Sequence, residues 1–125
     1  MKNEFMRDLE NQLRGIGTRL KELHFSAPSI MVHRLIDEYN EEFLEFEDEV
    51  MENAQALWGN IEVGELEPVL PDATTFEALL EDIRGLLVEI KGQAGDQKAW
   101  TGIISIVDSF WATTNKYIYL IRFEK

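Results

Sequence analysis

Five side chains that can bind a metal ion follow one another with regular spacing in the first half of the chain. Two are imidazoles and three are carboxylates: His24, His33, Asp37, Asp48 and Glu52. Imidazole and carboxylate ligands, without thiolate, suit iron, manganese or zinc. The chain contains no cysteine, so disulfides, thiolate zinc sites and cysteine nucleophiles are excluded. The sequence therefore predicts a metal site built from nitrogen and oxygen ligands.

The last four of these positions form a palindrome. They read His-x3-Asp-x10-Asp-x3-Glu along one predicted helix, with the centre between residues 42 and 43. If two copies of this helix lie antiparallel about a two-fold axis at that centre, His33 of one chain faces Glu52 of the other. By the same symmetry, Asp37 faces Asp48. The pattern therefore predicts two identical metal sites between two chains.

Helix geometry argues against a complete site within one chain. Asp37 and Asp48 are 11 residues apart, which is about 16 Å along a helix at 1.5 Å per residue. Metal–ligand bonds near 2 Å do not span that distance. At about 100° per residue, the four palindromic positions also fall in one arc, roughly 150° from the apolar seam of the helix. We therefore expect them to point away from the chain's own core.

Apolar residues recur at intervals of three and four in four segments of the chain, which is typical of amphipathic helices. No alternating strand pattern of useful length is present. We predict the first, second and fourth helices over Phe5 to Leu23, Ser29 to Leu57 and Trp100 to Ile121. The third helix is predicted to begin with a capping box at Thr74-x-x-Glu77. The seam of the second helix is predicted at Val32, Ile36, Tyr39, Phe43, Phe46, Val50, Ala54 and Leu57.

The length of the chain, 125 residues, predicts a single domain over residues 1–125 with one core. Glycines at 92 and 95 predict a short turn between the third and fourth helices. The linker from Trp58 to Ala73 contains two glycines and two prolines, which favour irregular structure. Four amphipathic helices joined in this way predict an all-α, antiparallel four-helix bundle.

The chain is strongly acidic, with a formal net charge of −12. This balance argues against nucleic-acid binding, which needs clustered lysine and arginine, and it favours cations. No signal peptide or membrane-spanning stretch is recognisable, so we expect a soluble cytoplasmic protein with no membrane partner. The remaining acidic residues of the second helix are predicted to be solvated surface: Glu41, Glu42, Glu45, Glu47 and Glu49.

The ligand pattern resembles a known family. The segments Leu23-His24-Phe25, His33-x3-Asp37 and Asp48-Glu49-Val50-Met51-Glu52 resemble the ferroxidase signature of the Dps mini-ferritins, the DNA-binding proteins from starved cells. The C-terminal segment from Tyr117 to Arg122 is similar to the last helix of that family. The resemblance covers most of the chain.

The resemblance implies a ferritin-like bundle that forms a homo-oligomer from two-fold dimers, with a dodecamer as the family's assembly. It implies an iron site at the two-fold interface, to which one chain contributes His24, His33 and Asp37. The neighbouring chain contributes Asp48 and Glu52. It further implies iron storage and detoxification through oxidation of Fe(II), preferably by hydrogen peroxide. The linker is shorter than the family's segment that forms an extra helix, so we expect no full helix there.

Two other hypotheses account for the same sequence. The first is a non-enzymatic helical bundle whose acidic surface docks a basic partner, for example as a mimic of nucleic acid. It predicts no stoichiometric metal. The second is a ferritin-like bundle that keeps the fold and the two-fold dimer but has lost turnover. Metal analysis together with the molecular mass in solution separates these hypotheses from a ferroxidase.

Overall fold

A computed structural model describes residues 2–62 and 64–124, with side chains from residue 4 onwards. Within these residues the chain forms four α-helices: α1 (Lys2–Phe25), α2 (Ile30–Trp58), α3 (Phe76–Ala94) and α4 (Thr101–Ile121). Short 3-10 helices, Lys98–Trp100 and Arg122–Glu124, flank α4. The described residues contain no β-strand. The prediction of an all-helical bundle is therefore confirmed.

The helix α2 begins where the sequence predicts. The side chain of Ser29 accepts a hydrogen bond from the backbone N–H of Val32 at 3.1 Å, which satisfies one of the free donors of the first turn. The predicted seam is buried from Val32 to Ala54. Leu57 is the exception, since 41% of its surface is exposed. At this end of α2 it is Trp58 that packs inwards, with its ring 4.8 Å from the ring of Trp100.

The predicted bounds of α1, α3 and α4 are wrong by a few residues, and α1 spans Lys2–Phe25 where Phe5 to Leu23 was predicted. The N-cap of α3 is Thr75, whose side chain accepts from the N–H of Ala78 at 3.2 Å. Glu77 therefore lies at the second helical position and Ala78 at the third, where alanine cannot return a hydrogen bond, so the predicted capping box from Thr74 does not form. The helix continues through residue 92, where a turn was predicted, and ends at Ala94, with Gly95 as the cap at a φ of 54°. The fourth α-helix begins after Trp100, which belongs to the preceding 3-10 helix.

The core lies between the helices, with α2 packed against both α1 and α4, and α3 packed against α4. The rings of Phe46 and Phe110 stack with centroids 4.2 Å apart. Deeper in the core, the hydroxyl groups of Tyr39 and Thr114 share a hydrogen bond of 2.8 Å. That bond satisfies two polar groups that would otherwise be buried without partners. One face of α2 is thus buried in the core from Val32 to Ala54.

The linker between α2 and α3 lies against α1, and the described part of it contains no helix or strand. The N–H of Val69 donates to the carbonyl of Asn11 at 2.9 Å, and the N–H of Glu67 donates to the Asn11 side chain at 2.8 Å. Gly15 permits this close approach, because a Cβ there would lie 1.7 Å from the carbonyl oxygen of Val69. The absence of a linker helix agrees with the expectation from linker length.

None of the described helices is long and apolar enough to cross a lipid bilayer.

We predict that Gly15→Ala destabilises the protein although alanine is the better helix former. The added methyl group collides with the Val69 backbone, so the linker must shift at a cost of about 1–3 kcal/mol. Gly85→Ala is the matched control, because a Cβ at that helical position meets nothing within 4 Å. It should raise the free energy of unfolding by about 0.5–1 kcal/mol. Urea denaturation measures both, and an equally stable Gly15→Ala protein would contradict the close approach.

Candidate metal centre

A groove of about 1240 Å³ runs between α1 and α2 on the side away from the core. Residues of the linker, including Ile61 and Pro68, also line it. Four of the five predicted ligands line the groove: His24, Asp37, Asp48 and Glu52. The three carboxylates are exposed. The expectation that they point away from the chain's own core is therefore confirmed.

The short turn between α1 and α2 brings the two histidines together. His24 lies in the last turn of α1 and His33 in the first turn of α2, with ring centroids 3.9 Å apart. Nδ1 of His33 lies 3.0 Å from the backbone carbonyl of His24. Because a carbonyl only accepts hydrogen bonds, this contact assigns a proton to Nδ1, and in the neutral imidazole the lone pair is then on Nε2. Histidines that bind metals are commonly oriented by such a bond from the other ring nitrogen.

His24 also approaches the first carboxylate of the pattern. Its Nδ1 lies 4.0 Å from Oδ1 of Asp37, which is too long for a hydrogen bond. The same nitrogen is buried and has no hydrogen-bond partner among the described residues. A metal with bonds near 2.1 Å places two of its ligand atoms about 3 Å apart when they are adjacent and about 4 Å apart when they are opposite. The separation is therefore compatible with a shared metal.

Asp48 and Glu52 do not join this group within one chain. They lie further along α2, and the axial rise between Asp37 and Asp48 is about 16 Å. As the side chains stand, the described residues of one chain contain no group of three or more His, Asp or Glu side chains able to hold a metal ion. One chain thus presents the candidate ligands in two groups at separate points along α2, and His33 is the one of the five that does not line the groove.

The ring of Phe25 lies next to the histidines, 5.6 Å from the ring of His24 in an edge-on arrangement. The side chain itself is 73% exposed. Phenylalanine lacks the indole of tryptophan, which can absorb oxidising equivalents. Phe25 therefore lines the groove with an apolar ring that is not a redox group.

Two carboxylates that the sequence analysis missed lie in the middle of the groove. Glu10 on α1 is only 6% exposed, and its Oε2 accepts from Nε of Arg14 at 2.7 Å. Glu47 on α2 is half-buried, so its assignment to the solvated surface was wrong. Both stand at seam spacing, four residues after one buried apolar residue and three before the next. That spacing in the sequence could have indicated that both side chains are at least partly buried.

The environment of Glu47 changes its acidity. Burial raises the pKa of this carboxyl to about 8, and the hydrogen bond with the carboxyl of Glu10 adds to the effect. The positive charge of Arg14 acts in the opposite direction. At neutral pH the two carboxyls therefore share a proton across the interface of α1 and α2.

This shared proton predicts a pH-dependent stability. The folded protein keeps a proton that the unfolded chain loses near the ordinary glutamate pKa of 4.5. The free energy of unfolding should therefore fall as the pH rises from there to about 8, by less than about 1.4 kcal/mol per pH unit. In Glu47→Gln, which cannot titrate, the slope should flatten, whereas Glu45→Gln on the exposed surface should leave it unchanged. Urea midpoints between these pH values test this, and equal slopes in the parent and Glu47→Gln would contradict it.

Comparison of the chain with models of protein families, with curated proteins and with solved structures found no match. The resemblance to the Dps mini-ferritins therefore rests on the ligand pattern in the sequence. The contact between His33 and the carbonyl of His24 is observed in the structure and does not depend on that resemblance.

Proposed function

We propose that the chain is a ferritin-like, antiparallel four-helix bundle of Dps type that binds iron between two chains and oxidises Fe(II). The observation that carries the proposal is the histidine pair. His33 is held by the His24 carbonyl so that Nε2 is free to bind a metal, and Asp37 lies beside the ring of His24. Imidazole and carboxylate ligands together suit iron, with manganese and zinc as the other candidates.

A second chain would complete the site. The two half-sites on α2 are related by the palindrome, so a two-fold axis near its centre brings Asp48 and Glu52 of one chain to His33 and Asp37 of the other. The facing surfaces are acidic, and without a cation their carboxylates would repel each other. A metal ion bound between them removes that repulsion. We therefore propose the two-fold dimer as the functional unit, with a dodecamer as its possible larger assembly.

The ligand set also favours the oxidation of Fe(II) to Fe(III) over the reverse reaction. Carboxylates are hard ligands and prefer Fe(III) to Fe(II), whereas the imidazoles keep the ferrous ion bound. Binding at such a site makes loss of an electron more favourable than it is in water. Hydrogen peroxide accepts two electrons, and two Fe(II) ions supply one each. Iron is the substrate in this scheme, and no separate acid or base is required.

We predict that Asp48→Ala combined with Glu52→Ala slows the oxidation of Fe(II) by peroxide at least about tenfold, because each site loses the ligands from one chain. The absorbance of the ferric product measures the rate. The double variant Glu45→Ala and Glu49→Ala is the control, since it removes the same charge from exposed positions of α2 outside the groove. It should oxidise iron at the parent rate. If the Asp48 and Glu52 variant keeps the parent rate, the assignment is wrong.

The acidic lining of the groove favours a second candidate function. Carboxylates of α1, α2 and the linker line the groove, where a basic helix from a partner would find opposite charge. This candidate predicts a salt-sensitive complex and no stoichiometric metal. A protein that binds iron at these residues without oxidising it would instead correspond to a bundle that has lost turnover. Iron analysis of the parent and of the Asp48 and Glu52 variant, together with the rate of Fe(II) oxidation, distinguishes the three.

A further inference from the structure

Leu44 is an exposed apolar residue in the acidic groove. Its side chain lines the groove among carboxylates, and 48% of its surface is exposed. A single exposed leucine is ordinary on a protein surface. The position of this one is unusual, because it lies directly beside the centre of the palindrome, between residues 42 and 43. At about 100° per residue it is also rotated by only about 20° from His33, within the arc of the proposed ligands.

A two-fold axis at that centre places Leu44 close to the same residue of a second chain. In an antiparallel pair about this axis, residues whose numbers add up to 85, such as His33 and Glu52, face each other. The two copies of Leu44 then differ in level by three residues, which is about 4.5 Å along the helix axis. Packed helices have axes about 8–10 Å apart. The two leucine side chains therefore meet across the axis and remove apolar surface from water.

Arg34 has no partner in the described part of its own chain. The residue is exposed and makes no ion pair, hydrogen bond or ring contact with another described residue. Around the helix, Arg34 and Glu52 both lie at about 100° from His33. A two-fold rotation keeps the side of the interface on which a residue lies, and the levels of Arg34 in one chain and Glu52 in the other differ by about 1.5 Å. The face thus carries a basic group opposite an acidic one.

We propose that the outward face of α2, from His33 to Glu52, docks on the same face of a second chain before iron binds. Leu44 makes the apolar contact at the two-fold axis, and Arg34 pairs with Glu52 of the other chain. This inference rests on the two-fold dimer of the proposed function and adds what holds that dimer without a metal. The two arginines offset part of the repulsion between the facing carboxylates. Because a carboxylate has two oxygens, Glu52 can accept from Arg34 and still offer an oxygen to iron.

The molecular mass of the iron-free protein, measured by analytical ultracentrifugation in the presence of a chelator, tests the proposal. We expect the parent to have the mass of a dimer or of an assembly of dimers. Leu44→Glu should raise the dissociation constant of the dimer at least about tenfold, because it removes the apolar contact and adds two facing negative charges. Val88→Glu is the matched control, since Val88 is an apolar residue of α3 that is 57% exposed and lies outside the groove. It should keep the parent's dissociation constant.

A charge reversal tests the ion pair in the same measurement. Arg34→Glu and Glu52→Arg should each weaken the dimer, because like charges then face each other. The double variant should restore the dissociation constant to within about threefold of the parent's value. Circular dichroism establishes that each variant is folded, and Leu44→Gln, which adds no charge, replaces Leu44→Glu if that variant is not. Equal dissociation constants for the parent and the Leu44 variant, or no recovery in the double variant, overturn the proposal.

Addition of Fe(II) without oxygen separates a failure of this inference from a failure of the proposed function. If the iron-free parent is a monomer that becomes a dimer with Fe(II), the metal holds the two chains together and only this inference is overturned. If the parent stays a monomer in both conditions, the two-chain site of the proposed function is overturned as well.

Discussion

One face of α2 is buried against α1 and α4, and the directions of the three proposed carboxylate ligands follow from that packing. The buried seam runs from Val32 to Ala54. Because a helix turns by about 100° per residue, fixing the seam also fixes the direction of Asp37, Asp48 and Glu52. They cannot turn inwards without exposing the aromatic core. The straight axis of the helix then separates the first carboxylate from the other two by more than any metal can span.

The candidate site also depends on the short connection between α1 and α2. It places the end of one helix beside the start of the next, so that the carbonyl of His24 orients the ring of His33. The same connection leaves a groove whose two walls carry carboxylates. Acidic groups held at close range on rigid helices have three ways to lower their mutual repulsion: they share a proton, bind a cation or pair with a basic group. Glu10 and Glu47 show the first, and Arg14 supplies the last for Glu10.

The features that sequence predicts well are those that depend on a single helix. The seam of α2 and the cap at Ser29 follow from periodicity and from the chemistry of one side chain. The choice of Thr75 over Thr74 does not, because neighbouring threonines have the same capping chemistry and only the helix position decides between them. The all-helical fold was therefore predictable, whereas the bounds of α3 were predictable only to within a few residues.

The remaining features depend on contacts between segments distant in sequence. Gly15 is explained only by the linker that crosses α1 at Val69. In the sequence Glu47 resembles the other acidic surface residues of α2, and its partial burial depends on the packing of α1 beside it. For the candidate site, the residue types, their spacing and their outward direction were predictable. The carbonyl contact that orients His33 was not, because it depends on the path of the chain between the two helices.

The central claim is that each metal site is built from two chains, and mixing two inactive variants tests it most directly. One variant carries His33→Ala and Asp37→Ala, and the other carries Asp48→Ala and Glu52→Ala. Each alone has no complete site, but a dimer of one with the other restores one site of two. Refolding an equal mixture should therefore recover about one quarter of the parent's rate of Fe(II) oxidation, since about half of the dimers are mixed. A mixture no more active than the separate variants, with mixed dimers present by mass, would contradict the account.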